Sequence, residues 1–168
     1  VLYPTESVKD AFWNESARNL FLGLCLYLLE SPTLPCSLGE LLRQASGKGQ
    51  PIKEYLQGLM TKRGTGDQRL SDDCTGALQR FCTTSENTMA GILATFTAPL
   101  TMFSNPIVDA ATSATEIDLS AVRKRRMSIY VGIPANRLSD AALLVNLFFS
   151  QLIHHNTIDL PATNPALK

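Results

Sequence analysis

Charge of one sign, aromatic surface and metal-type spacing are all in short supply in this sequence. Its 168 residues carry 15 basic and 15 acidic side chains, two histidines and one tryptophan, Trp13. Zero net charge argues against a strong general affinity for nucleic acid. At 7% aromatic content there is little from which to build a base-stacking platform for single strands. The four cysteines, Cys25, Cys36, Cys74 and Cys82, include no C-x-x-C pair and no histidine-rich spacing, so a tetrahedral zinc site is not expected. Cys74 and Cys82 fit one helical face about two turns apart, roughly 12 Å, which is too far for a disulfide. Reduced thiols acting as small core residues are the simpler reading. The most apolar run, residues 20–29, is half the ~20 residues that a membrane-crossing helix needs.

Catalytic patterns are missing as well. No G-x-x-x-x-G-K-[ST] occurs; Gly47-Lys48-Gly49-Gln50 has neither a preceding strand nor the hydroxyl that would hold magnesium. His154 and His155 are adjacent near the end of an apolar helix pattern and have no nucleophile elbow to serve, so a favourable contact with the helix dipole accounts for them. Asp72 and Asp73 diverge by about 100° on a helix and read as N-terminal charges, not as an acid and base pair. The expectation is therefore no catalytic residue, no bound cofactor and no metal ligand in this chain.

What is present is helical patterning. Apolar residues at three- and four-residue spacing, with Phe12, Leu20, Phe21, Leu24, Cys25 and Leu28 leading, predict a first helix over residues 7–30 with Ser7 as its cap. Pro32 and Pro35 end it. Ser37 with Glu40 is a capping box opening a second helix through Ala45, and Pro51 opens a third that runs to about Lys62. Residues 63–69, with Gly64, Gly66 and Asp67, read as an exposed and mobile loop. Ser71 caps a fourth helix and Ser85 a fifth, which Pro99 should bend or end. Asn105-Pro106 starts a short sixth. The period then changes: residues 127–134, Met-Ser-Ile-Tyr-Val-Gly-Ile-Pro, carry the β-branched and aromatic signature of a buried strand. Ser139 and Asp140 are expected to cap a last helix, and residues 161–165 to form a loop.

The predicted fold is mainly α: a bundle of about six helices over residues 1–122, followed by one strand and one helix over 123–168. Charge is unevenly distributed along it. Residues 81–122 carry four acidic and no basic side chains, residues 123–137 five basic and no acidic ones. Arg123, Lys124, Arg125 and Arg126 form the one concentrated cation, with two readings: a phosphate-gripping segment, or a solvated turn neutralised by Glu116 and Asp118. Together with Lys62, Arg63 and Arg69 around the loop, these four are the candidate contact residues for DNA or a partner protein.

Several strings, taken together, resemble one family: Phe-Trp-Asn-Glu-Ser-Ala-Arg-Asn-Leu-Phe at 12–21, Leu-Ser-Asp-Asp-Cys at 70–74, and Ile-Leu-Ala-Thr-Phe-Thr-Ala-Pro-Leu at 92–100. They continue with Asn-Pro-Ile-Val-Asp-Ala-Ala-Thr-Ser at 105–113, Met-Ser-Ile-Tyr at 127–130 and Leu-Phe-Phe-Ser-Gln-Leu-Ile at 147–153. The chain resembles the TraG/VirD-type coupling proteins of type IV secretion and conjugation over nearly its whole length. That resemblance implies a membrane-anchored, hexameric ATPase at the cytoplasmic side of the bacterial inner membrane. Its RecA-like motor would carry this all-α domain as an insert between the two nucleotide motifs. On that reading residues 123–168 belong to the edge of the motor, ATP and magnesium are held by the parent outside this sequence, and the chain is an excised, soluble fragment, as its opening valine and its end at Lys168 also suggest. The implied function is docking of transfer substrates, relaxase or secreted effector proteins, with direct DNA binding by the helical module as the alternative. None of the strings is a catalytic motif, so no functional residue carries over.

Overall fold

The computed structural model describes residues 2–3, 10–114 and 116–158. The expected Ser7 cap and the 161–165 loop lie outside the described residues. The chain divides into two compact units, Tyr3–Ala114 and a second made of Val1–Leu2 with Thr115–Lys168.

Among its described residues the first unit holds six α-helices: α1 (Ala11–Leu29), α2 (Leu38–Ala45), α3 (Ile52–Lys62), α4 (Asp72–Cys82), α5 (Glu86–Thr97) and α6 (Pro106–Thr112). The sequence signals act as read at most boundaries. Ser37, Ser71 and Ser85 accept the backbone N–H groups of Glu40, Cys74 and Thr88, and Asn105 accepts that of Ile107, each satisfying a donor that the first helical turn leaves free. Pro99 has the expected effect: α5 stops at Thr97 and the chain tightens into a 3₁₀ stretch, Ala98–Ser104.

Helix α1 runs through the middle, packed on α4 and α5. Leu20 and Leu24 of α1, Leu78 of α4, and Ile92 and Phe96 of α5 are buried, with Leu56, Leu100 and Phe103 closing the core. Each such side chain is worth ~1.5–3 kcal/mol when taken out of water. A glycine sets one of these contacts: a Cβ on Gly91 would lie 2.6 Å from Trp13 Cζ3, so α5 meets the indole only because that position has no side chain. Tyr3 closes the apolar end, donating its hydroxyl to the Phe96 carbonyl at 2.8 Å.

The second unit differs from expectation. Residues 127–134 are extended, but among the described residues no β-strand forms. A strand is defined by its ladder, and among the described residues this segment pairs with no neighbour. Tyr130 is 92% exposed, so the buried strand read from the sequence is corrected to an unpaired extended segment. Ser139 and Asp140 do not cap α7 (Leu138–Thr157) either; the helix starts two residues earlier than a Ser139 cap would give, after a 3₁₀ turn at Ala135–Arg137, and Asp140 in its first turn pairs with Arg137 at 3.2 Å. A second 3₁₀ turn, Leu119–Arg123, is tied to the end of α7 by Asn156, whose amide donates to the Leu119 carbonyl at 2.9 Å. No described residue of α7 is buried.

Candidate functional site

The seven candidate cations fall into two groups, one in each unit. In the helical unit Arg63 is committed to structure. Its guanidinium donates to the Glu30 carbonyl at 2.7 Å, to Ser31 Oγ and to the Gln68 carbonyl at 2.7 Å, and lies 5.8 Å from the Tyr27 ring centre. Loop 63–69 is thereby stitched to the end of α1. Beside it Glu30 accepts the backbone N–H of Ser71 at 2.9 Å and its hydroxyl at 2.5 Å, fixing the start of α4 to the same point. Arg69 pairs with Asp72, both well exposed, and Lys62 lies exposed in the last turn of α3, where a cation suits the helix dipole.

In the second unit Arg123 donates to the Asn156 carbonyl and so belongs to the tie between the 3₁₀ turn and α7. Lys124, Arg125 and Arg126 are exposed and line, with Met127 and Ser128, a recess of about 590 Å³ that contains no acidic side chain. Among the described residues neither Glu116 nor Asp118 forms an ion pair with them. Asp118 accepts from the N–H and the hydroxyl of Ser120 at 2.9 and 2.7 Å. Those bonds first, and the charges of Lys124 and Arg125 after them, hold its carboxyl below the usual range.

A polar cluster that sequence reasoning missed lies under α2. Glu40, only 5% exposed, accepts from Arg43 Nε at 2.6 Å and Gln44 Nε2 at 2.5 Å, with Lys48 Nζ at 3.5 Å. Gln44 in turn accepts from the Tyr55 hydroxyl, and Arg43 reaches Asp109 of α6 at 2.6 Å. Gly39 makes that last pair possible, because a Cβ there would lie 1.9 Å from Asp109 Oδ1. Burial pushes the Glu40 carboxyl up, yet the bonds from Arg43 and Gln44 and the charges of Arg43 and Lys48 outweigh it and leave it below its ordinary value. The signal for this cluster was the Ser37–Glu40 box, read as a cap alone.

The glycine-lysine turn does not fit a nucleotide. Lys48 sits at φ 50° between Gly47 and Gly49 and is directed to Glu40 instead of being free for a phosphate. Cys74 and Cys82 are buried, Cys25 is partly covered and Cys36 is exposed, all as free thiols. His154 and His155 lie exposed in the last turn of α7, ring centres 5.8 Å apart. Among the described residues no group of three or more His, Cys, Asp or Glu is placed to hold a metal, and no single helix is long and apolar enough to cross a membrane.

The first unit is thus a set of helices with its own core, and the second an apolar helix with an extended segment that is unpaired among the described residues. The chain belongs to the type IV secretory system conjugative DNA transfer family, which it matches over residues 2–168. It is 24% identical over 139 residues to the protein VirD4 of Agrobacterium fabrum and, to the same extent, to the protein VirD4 of Rhizobium rhizogenes. Those matches cover 83% of this chain and 20% of each relative, so the chain spans about a fifth of the length of the curated relatives it matches. No solved structure matches it.

Proposed function

We propose that the helical unit is the substrate-docking domain of a type IV secretion coupling protein, receiving relaxase or secreted effector proteins and taking no part in chemistry itself. The observation that carries this reading is a self-cored helical unit, Tyr3–Ala114, within a chain matched to the conjugative DNA transfer family along its length. A platform with its own core keeps its shape while its loops and rims meet cargo. Reversible docking suits a receptor that must release, at affinities near micromolar, about 8 kcal/mol.

Residues 123–168 would then be a piece of the parent's motor domain. In support, residues 127–134 are extended and unpaired and α7 buries none of its described residues, as elements do whose sheet and covering helices lie in other parts of a protein. ATP and magnesium, a hexameric ring and an anchor in the bacterial inner membrane would all be properties of that parent. The test is capture of purified relaxases and effectors on the immobilised chain at 50 and 300 mM salt. Retention at both concentrations, without ATP hydrolysis, is the expected outcome; no retention of any of them, or turnover of ATP, ends the reading.

A second reading, direct contact with the transferred DNA strand, is favoured by one feature: Lys124, Arg125 and Arg126 face an acid-free recess without an ion-pair partner among the described residues. Its mark would be steep loss of binding as salt rises.

A further inference from the structure

Away from the cations, the first turn of α3 and the outer face of α5 enclose a groove of about 320 Å³. Met89, Leu93 and Ile52 supply its apolar lining; Met89 is 6% exposed, and the other two are only partly exposed. Glu54 and Glu86, both exposed, and the partly exposed Lys53 of α3 also line it. Among the described residues neither carboxylate has an ion-pair partner, although basic side chains elsewhere in this unit are committed to Glu15, Glu40, Asp72 and Asp109. The groove thus combines partly exposed apolar surface with two carboxylates against one lysine; each carboxylate stands in the first turn of its helix, where the dipole stabilises it, and without an ion-pair partner among the described residues both still offer their oxygens to a cation.

Those properties select an occupant. Its volume is at the lower end of the ~300–1,000 Å³ range of ligand pockets, which suits a few side chains of a short segment better than a domain. The carboxylates disfavour phosphates, so neither a nucleic-acid backbone nor an anionic lipid headgroup fits. An apolar side chain against that lining with a lysine or arginine on each flank satisfies both features at once. We propose that the α3–α5 groove is a docking site for a short segment of a partner protein in which apolar residues are flanked by basic ones. The inference rests on the cargo-docking reading and gives it a location and a chemistry.

The test uses fluorescein-labelled decapeptides alternating Arg with Leu, Glu with Leu, and Arg with Ser, titrated with the full chain and read by fluorescence polarisation. The Arg–Leu peptide is expected to saturate in the micromolar range and to bind at least tenfold more tightly than either control. Ala90→Gln, at an exposed position of the groove, fills it without altering charge and should weaken that binding at least tenfold. The double variant Glu54→Gln/Glu86→Gln should weaken it three- to tenfold at 50 mM salt, whereas Asp73→Asn, on exposed α4 surface, should change it less than twofold. Far-ultraviolet circular dichroism and Tm establish that each variant is folded. Equal binding of the Arg–Leu and Glu–Leu peptides, or a folded Ala90→Gln chain that binds as the wild type does, overturns the groove proposal. The docking reading fails separately, on the wild-type chain retaining no purified relaxase or effector.

Discussion

Glu40 shows what a single residue does in this fold. Its carboxylate gathers Arg43, Gln44 and Lys48, and through them Tyr55 and Asp109, so one buried charge connects α2 to the following turn, to α3 and to α6. Because the folded carboxyl titrates below its ordinary 4.5, the unfolded chain takes up the proton first as pH falls. The stability it contributes is complete above about pH 4.5 and is lost as pH drops through the lower, folded value. Glu40→Gln should cost about 1.5–3 kcal/mol in urea unfolding at pH 7, by leaving Arg43 and Lys48 without their shared counter-charge, and should flatten the acid limb of the stability curve. The thiols make a second residue-scale case. Burial, then the charge of Glu30, pushes Cys74 up to about 12; burial, then Cys36, pushes Cys25 to about 11; burial also raises Cys82. Only thiolates alkylate readily. Iodoacetamide at pH 8 should therefore modify exposed Cys36 alone in the native chain and all four cysteines in guanidinium, as mass spectrometry will count. Native labelling of Cys74 as fast as Cys36 would contradict the buried placement.

At the scale of elements, loop 63–69 is decided by one side chain. Arg63 makes three hydrogen bonds that bind the loop to the end of α1, whereas Arg69 makes a pair with Asp72 whose side chains are 60% and 88% exposed. Arg63→Ala should cost about 2–3 kcal/mol in urea unfolding and Arg69→Ala less than about 0.5, because water already serves the exposed pair. Equal effects would show that the loop is not held as described. The helices of the first unit were legible because each carries its information locally: a serine or asparagine that can reach a free N–H, an apolar stripe, a proline that must end a turn. The state of residues 127–134 was not, since their composition reports a preference for a sheet while a strand exists only where a ladder partner is at hand, and none is among the described residues. The start of α7 was misplaced by two residues because Arg137–Asp140 and the preceding 3₁₀ turn do the work expected of Ser139. For the candidate site, seven cations were legible as charges but not as uses. Nothing in the spacing of Arg63 or Arg123 reveals that a distant carbonyl takes up the guanidinium, and the α3–α5 groove joins segments over thirty residues apart.

At the scale of the whole molecule, the two units ask different things of their surroundings. The helical unit buries a continuous core, while α7 leaves Leu138, Phe149 and Ile153 between 43% and 61% exposed. Amide exchange should divide accordingly, with α1, α4 and α5 protected for hours and α7 opening far sooner, since opening free energy follows buried apolar contact. The basic recess belongs to the less covered unit, and its three exposed cations, Lys124, Arg125 and Arg126, set a quantitative limit on what it does with a DNA strand. Engaging three phosphates of a single strand gives a slope of about −2 in log K against log salt, so binding of a 20-nucleotide single strand should fall roughly 20-fold between 50 and 200 mM. Reversing Lys124, Arg125 and Arg126 to glutamate should remove that slope and leave capture of relaxase or effector on the helical unit unchanged. A reversed chain that keeps the salt slope places the phosphate contacts elsewhere. One that loses protein cargo along with DNA would mean that the recess, and not the helical unit, is where cargo is held.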